Sequence, residues 1–319
     1  MKQVTVFAPA TVANVAVGFD LLGFPISGIG DEITLIQTNA RGIEISEITA
    51  LPTVSDRKEI EALKALPRVA ELNSATKGLL ALMNEQKLDF GFKVEIKKGI
   101  SLGSGMGGSA ASAVGAIVAA NQFLPAPLPP AKLFSYALLG EEAASGAQHG
   151  DNVSPCLYGG LTLTHSIDPV DIISIPVPKK VLCALVHPLL RVDTREARRI
   201  LKSDLSLKTH VEQASHLAAF IAGCFQGDLA LIGRSLKDLL IEPQRAPLVP
   251  SFDSVKAAAL QEGALGCSLS GSGPSLFAWV DSPERGAKVK EAMLLAFQEA
   301  GIAASGWVCS INLDGAKVL

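Results

Sequence analysis

Between Lys98 and Lys132 the chain carries no charged side chain. A stretch of that length without charge leaves water, either for a membrane or for a protein core. Its composition decides which. Gly, Ala, Ser, Asn and Pro dominate it rather than Leu, Ile and Val, which predicts a buried helix and no membrane span. The stretch opens with GSGMGGSAA at 103–111. Just before it, GFKVEIKKG at 91–99 alternates Phe92, Val94 and Ile96 with Lys93, Glu95 and Lys97. That alternation predicts a strand with one wet face, in an antiparallel or edge setting. A strand, a glycine turn and an Ala-rich helix to about Phe123 therefore follow one another.

The glycine turn admits three readings: a flexible linker, a dinucleotide-binding turn or a phosphate cradle. Gly103, Gly105 and Gly108 satisfy G-x-G-x-x-G. The dinucleotide reading also needs a buried parallel strand before the turn and an acid about 20 residues after it. The preceding strand is half-wet, and no Asp or Glu occurs between Glu95 and Glu141. No Gly-Lys-Ser/Thr is present either, so the Walker pattern fails. What remains is an anion site at a helix start near Gly107. Its glycines turn several N–H groups towards one point, and the helix dipole adds to them. Ser104 and Ser109 can offer hydroxyls to phosphate or Mg²⁺. The bland alternative is a turn whose glycines serve packing alone.

The rest of the chain sets limits. Its 28 Lys+Arg against 31 Asp+Glu give a formal net charge of -3 over 319 residues. That balance offers no footprint for nucleic acid or an acidic membrane surface. With 48% hydrophobic residues a packed core is expected. Cys156, Cys183, Cys224, Cys267 and Cys309 are scattered and form no C-x-x-C. They read as small buried residues in a reducing, cytoplasmic compartment. No zinc spacing exists among Cys and His. Residues 1–19 are apolar, but Pro9, Asn14, Gly18 and the lack of a basic cluster exclude a signal peptide. Further strands are predicted at 3–7, 32–37, 43–46, 161–165, 172–175, 181–186, 267–270, 276–280 and 307–311. Helices are predicted at 70–86, 130–145, 194–202, 208–226, 228–240, 252–262 and 283–300. GAQHGDNVSP at 146–155 reads as a polar loop. A change to strand-rich sequence near 155–170 suggests two domains, 1–160 and 161–319.

Three stretches carry a family resemblance: PATVANVAVGFDLLG at 9–23, ISLGSGMGGSAAS at 100–112 and GCSLSGSGPSLF at 266–277. In this order they resemble the galactokinase, homoserine kinase, mevalonate kinase and phosphomevalonate kinase (GHMP) superfamily. HGDNVSPCLYGG at 149–160, DTREARRIL at 193–201, IEPQRAPLVPSF at 241–252 and DGAKVL at 314–319 resemble the homoserine kinase family within it. The resemblance implies an α+β protein of the GHMP-kinase fold. Its N-terminal, ATP-binding domain would be ribosomal-protein-S5-like and its C-terminal domain ferredoxin-like. The implied reaction is ATP plus L-homoserine giving ADP and O-phospho-L-homoserine, a step towards threonine, with Mg²⁺ as cofactor. A homodimer is compatible with the resemblance.

The resemblance also implies site residues. Arg198 and Arg245 take positions that grip the substrate carboxylate, and an Arg fork matches its two oxygens. On local sequence alone, Arg198, between Arg195 and Arg199, reads equally as part of a solvated helix face. Asp20 would hold the ammonium, with Asn14, His149, Asn152 and Gly271 lining the same pocket. Asn and Asp there also suit turn capping. Asn152 stands where mevalonate kinases and galactokinases place an aspartate base. An amide orients a hydroxyl but takes no proton, so catalysis would rest on positioning and electrostatics. Asp151 is the rival base and is expected to point away. Glu141 with Ser109 would hold Mg²⁺, Glu142 being its neighbour. Gly103, Ser104, Gly105, Met106, Gly107, Gly108 and Ser109 would cradle the ATP phosphates, and Asn73 would border the adenine. Thr194 would contact phosphate or substrate, or cap its helix. Against the family's usual P-L-G-S-G-L-G-S-S-A, Ser101 replaces Pro, Met106 replaces Leu and Gly108 replaces Ser. The loss of a hydroxyl at 108 leaves Ser109 to supply the contact. Two other classes stay open: a GHMP kinase with another hydroxyl acceptor, and a non-catalytic ligand-binding member.

Overall fold

The computed structural model describes residues 2–319. In its first part, β1 (Gln3–Ala13), β2 (Leu22–Thr38) and β3 (Ile43–Ala50) precede α1 (Arg57–Leu63), α2 (Ser74–Glu85) and β4 (Gly91–Lys98). Then come α3 (Gly108–Asn121), α4 (Pro130–Ser145), α5 (Gly150–Tyr158), β5 (Leu161–Ile167) and β6 (Val170–Ile175). β2 pairs antiparallel with β1 and β4, and β3 lies parallel to β4. The wet-faced strand is therefore antiparallel to β2 as expected, and β3 covers its other edge.

α3 is the keystone of this part. Eleven of its fourteen residues are buried, with no charge among them. Ala and Gly make that possible: at Gly115 a side chain would collide with Ile33 of β2. α2 and α4 close over α3, and the same economy holds at Gly78, against the Tyr136 carbonyl, and Gly140, against the Ser74 carbonyl. Small residues let backbones approach, and the burial of the Ile, Val and Phe around them supplies the driving force.

The second part continues with β7 (Leu182–Pro188), α6 (Thr194–Arg199), α7 (Leu207–Gln226), α8 (Leu229–Ser235), α9 (Glu242–Arg245) and α10 (Phe252–Gln261). β8 (Gly266–Leu269), β9 (Leu276–Val280), α11 (Pro283–Glu299), β10 (Ala304–Ser310) and β11 (Lys317–Val318) close the chain. The order β10-β7-β9-β8, antiparallel throughout, is the ferredoxin-like arrangement of two interleaved β-α-β units. Its apolar face packs on α10 and α11 through Val255, Ala259, Val289, Met293 and Phe297.

The structure corrects several expectations. Residues 150–158 are helix α5, not loop. Gly, Asp, Asn, Ser and Pro favour a loop locally, but Val153 and Cys156 are wholly buried against the first sheet, and packing overrides propensity. β5 pairs with β2, and β6 pairs with β5. The first sheet therefore takes strands from beyond residue 160, as far as Ile175. The helix expected over 228–240 ends at Ser235. α1, α9 and β11 were not expected. β11 returns to pair with Val6 and Phe7 of β1, so the chain's two ends lie side by side.

A buried ion pair joins strand, loop and helix. Lys98, the last residue of β4, pairs with Asp31 of β2, and both side chains are almost completely inaccessible. The Lys98 ammonium also donates to the Gly108 carbonyl at 2.8 Å and to Ser112 Oγ at 2.9 Å. Asp31 Oδ1 accepts from the backbone N–H groups of Gly99 and Ile100 at 3.0 and 3.2 Å. Removing one partner strands the other charge in the core, which costs about 3–5 kcal/mol. Lys98→Met should therefore lower the denaturant midpoint by that equivalent, and adding Asp31→Leu should recover part of the loss. A single variant as stable as the parent would show that the pair carries no such burden.

Candidate active site

The two parts meet at a cavity of about 340 Å³. The glycine turn of residues 103–108 forms its floor. Gly107 caps α3 in a left-handed conformation with φ 67° and supplies no capping side chain. The first N–H groups of α3 therefore lack the side-chain partner that most helix starts have. No other residue fits this position: any side chain at Gly107 would overlap Thr11 and Asn152. The second turn, 270–275, packs directly onto the first. Ser270 Oγ donates to the Gly105 carbonyl at 2.7 Å, and the Ser275 N–H donates to the Ser104 carbonyl at 3.2 Å. Gly105 (φ 78°) lies so close to the Ser270 and Gly273 carbonyls that a Cβ has no room.

At one end of the cavity stand Glu141 and Ser109. Ser109 Oγ donates to Glu141 Oε2 at 2.6 Å. Burial pushes the Glu141 carboxyl up to about 7, against the lowering effect of Ser109, Ser145 and Lys98. Its neighbour Glu142 faces away and pairs with Lys77 at 2.7 Å. At Gly108 an added Cβ would stand 3.2 Å from Ile100 Cγ2. The position lies between Ile100 and the Lys98 ammonium, and glycine relieves that crowding.

At the other end, Asp20, Asn14, His149, Arg198 and Arg245 converge. Arg198 Nη2 lies 2.6 and 2.8 Å from the two oxygens of Asp20. Arg245 is buried, and it donates from Nε to the Ala197 carbonyl at 3.1 Å and from Nη1 to the Gly271 carbonyl at 3.2 Å. Both guanidinium groups lie about 5 Å from the Phe19 ring, at 5.3 and 5.1 Å. Asn14 Nδ2 donates to the Gly271 carbonyl at 3.0 Å, and its Oδ1 accepts the Asp20 N–H at 3.0 Å. His149 Nδ1 is 4.0 Å from Asp20, and burial holds its ring below the usual imidazole range. Thr194 Oγ1 sits 3.5 Å from Ser272 Oγ, at the edge of hydrogen-bond range, while Asp193 caps its helix.

Asn152 lies between the two ends. Its Oδ1 accepts a hydrogen bond from Thr11 Oγ1 at 2.6 Å. Asp151 does not point away as expected: it lines the same cavity, is buried, and lies 3.5 Å from Asn152 Nδ2. Burial, with Asp20 and Glu141 adding, pushes its carboxyl up to about 7. Asn73 lines the far rim, but its amide is committed. It donates to the Pro67 carbonyl at 2.7 Å and accepts the Ala75 N–H at 2.9 Å, so it fixes the rim rather than reaching inward.

Other lining groups escaped the sequence reading. Lys98, Arg191 and Arg195 add positive charge around the glycine turn, and Leu66, Pro67 and Leu72 give the rim an apolar shelf. Lys98 left a signal: successive strand residues face opposite sides, so of Lys97 and Lys98 one had to point inward. Thr11 left none, because its role depends on where α5 lies.

The comparisons agree with this geometry. The chain matches the description "GHMP kinases N terminal domain" over residues 73–160 and "GHMP kinases C terminal" over 219–299. It is 43% identical over 319 residues to the homoserine kinase of Xanthomonas campestris pv. campestris (strain B100), covering 100% of this chain and 95% of that one. It is 42% identical to that of Chlorobium phaeobacteroides (strain BS1), with 100% of both chains covered. The crystal structure of homoserine kinase from Cytophaga hutchinsonii superposes with a TM-score of 0.93 at 41% identity, covering 100% of this chain and 98% of that one. The L. major mevalonate kinase, at 17% identity and a TM-score of 0.69, shares the fold. With a cavity floored by a glycine turn, an uncapped helix start and full-length relatives above 40% identity, the chain belongs to the homoserine kinases of the GHMP kinase family.

Proposed function

We propose that this cavity transfers the γ-phosphoryl group of ATP to the side-chain hydroxyl of L-homoserine, on the route to threonine. The observation that carries the reading is the Arg198–Asp20 pair, beside buried Arg245, facing the open helix start at Gly107. A zwitterionic amino acid fits that end by exchange. Its ammonium takes the place of Arg198 at Asp20, and its carboxylate takes the place of Asp20 at Arg198. A sugar or other neutral polyol breaks the pair and returns nothing for it. Buried, reduced cysteines support a cytoplasmic setting, and among the described residues no helix is long and apolar enough to cross a membrane.

In this reading the phosphates lie on the N–H groups of Gly103 to Ser109. Arg191 and Arg195 offset their charge. The shelf of Leu66, Pro67 and Leu72 takes the adenine. Glu141 and Ser109 suit Mg²⁺: a buried carboxylate of raised pKa wants a cation, and no cluster of three His, Cys, Asp or Glu competes among the described residues. Held there, Mg²⁺ would supply positive charge against the phosphates. The substrate hydroxyl oxygen forms the new P–O bond, and the bond from the γ-phosphorus to the bridging oxygen of ADP breaks. The hydroxyl proton passes to a γ-phosphoryl oxygen. Asn152 orients the hydroxyl, and Thr194 and Ser272 border the transfer path.

One observation favours a second reading for the proton. Asp151 is buried in the cavity with a pKa near 7, the range of a working general base. The two readings separate on Asp151→Asn. Positioning alone predicts a kcat within about threefold of the parent and an unchanged pH profile between 6 and 8. A loss of about 100-fold with disappearance of a limb near pH 7 would make Asp151 the base. The same variant reads out a stability linkage. A carboxyl held above its unfolded value of 3.8 costs nothing below about pH 4 and progressively more up to pH 7. Asp151→Asn should therefore raise the Tm of the free enzyme at pH 8 and leave it nearly unchanged at pH 4.

Substrate choice is tested by ADP release with Mg²⁺-ATP and L-homoserine, D-homoserine, mevalonate, galactose or no acceptor. Turnover confined to L-homoserine is expected. Turnover with mevalonate or galactose would overturn the amino-acid end, and none at all would make the chain a binding protein. Arg198→Ala should raise the KM for L-homoserine about 10–100-fold, as loss of a charge-assisted contact implies, with the KM for ATP within about twofold. An equal loss for both substrates would make Arg198 a structural residue.

A further inference from the structure

Thr11 holds three parts of the site at one point. It lies near the end of β1, just after the irregularity in β1–β2 pairing between Pro9 and Thr11, and it is fully buried. Such irregularities re-aim side chains at functional sites. The Thr11 N–H donates to the Met106 carbonyl in the glycine turn at 3.0 Å. Its hydroxyl donates to Asn152 Oδ1 at 2.6 Å. Gly107 packs so closely on both groups that any side chain there would overlap them.

This bond decides which half of the Asn152 amide is free. Oδ1 is spent on Thr11. Nδ2 has only the 3.5 Å approach to Asp151 Oδ1, too long to hold it. With Asp151 ionised, rotating the amide by half a turn would bring Oδ1 against the Asp151 oxygen, acceptor facing acceptor. In the observed orientation Asn152 keeps its N–H donors for the cavity, while Thr11 holds one of the two lone pairs of Oδ1.

We propose that Thr11 is a positioning residue for the transfer: it locks Asn152 as a donor towards an oxygen of the reacting pair and fixes Asn152 relative to the phosphate-binding turn. The inference rests on the reading of Asn152 as the group that orients the hydroxyl. Through one side chain and one N–H, Thr11 ties the acceptor end to the phosphate end. Without the hydroxyl the amide loses its short hydrogen bond, and the distance between the ends loses one of its fixings. Misplacement of this kind costs rate more than binding.

The test is a kinetic cycle on the full chain with Thr11→Val, Thr11→Ser, Asn152→Ala and Thr11→Val/Asn152→Ala. Thr11→Val keeps the shape and removes the donor. It should lower kcat about 10–100-fold, with both KM values within about threefold. Thr11→Ser should restore kcat to within about threefold of the parent. The double variant should be no slower than Asn152→Ala alone, because Thr11 acts through Asn152. If Thr11→Val does not fold, Thr11→Ala carries the same expectations. An impaired Asn152→Ala beside a fully active Thr11→Val would sink the inference and leave the Asn152 reading intact. A double variant slower than Asn152→Ala by the full Thr11→Val factor would also sink it, since Thr11 would then act through the turn alone. A fully active Asn152→Ala would remove the reading itself, and the inference with it.

Discussion

The site stands on the ion pair between Lys98 and Asp31. Asp31 holds the N–H groups of Gly99 and Ile100, where the glycine turn begins, and Lys98 holds the Gly108 carbonyl, where it ends. The turn between is rich in glycine and would otherwise be costly to order. Fixing both ends to one buried pair converts a flexible segment into a cradle. A buried ion pair is a poor source of net stability, since desolvation consumes much of its attraction. Here its worth is geometric: it sets where α3 begins, and so where its unpartnered N–H groups point.

The same logic runs through the other buried charges. Glu141 and Asp151 sit desolvated with raised pKa values, and α3 starts without a capping side chain. Each costs the free protein stability. Together they suit anionic groups at the helix start and positive charge beside the carboxylates. The burial of apolar residues around α3 and beneath the second sheet offsets that cost elsewhere in the fold.

Much of this was legible in the sequence, and what was not had a physical cause. Strand β4, helices α3 and α4 and strand β9 followed from alternation, charge-free composition and punctuation by Pro and Gly, all local properties. α5 failed because its helix is imposed by contacts of Val153 and Cys156 with a sheet assembled from distant strands. β11 failed because two residues carry no periodicity. Among site residues, the charged ones announced themselves through motif and type: Arg198, Arg245, Asp20 and Glu141 all line the cavity. Asn73 also lines it but spends its amide on capping, and a capping Asn and a binding Asn look alike in one sequence. Asp151 was misplaced because the direction of a side chain next to Asn152 depends on the helix that the local sequence hides.

In the proposed reading, the end of the cavity at Arg198 and Asp20 bears on selectivity. Arg198 and Asp20 are already satisfied by one another, and burial lowers the pKa of His149 nearby. A ligand that engages only one of them leaves the other charge without a partner in a partly desolvated pocket, and such an orphan costs more than the gained contact returns. Only a ligand carrying both signs, at the separation of an α-amino acid, trades one ion pair for two. Arg245 spends two of its five N–H donors on Ala197 and Gly271, which fixes its position beside the pair and leaves donors over. It contributes a standing positive potential that favours the carboxylate at that end. On that reading, discrimination against neutral alcohols comes less from attraction to the substrate than from the cost of opening the Arg198–Asp20 pair for anything else.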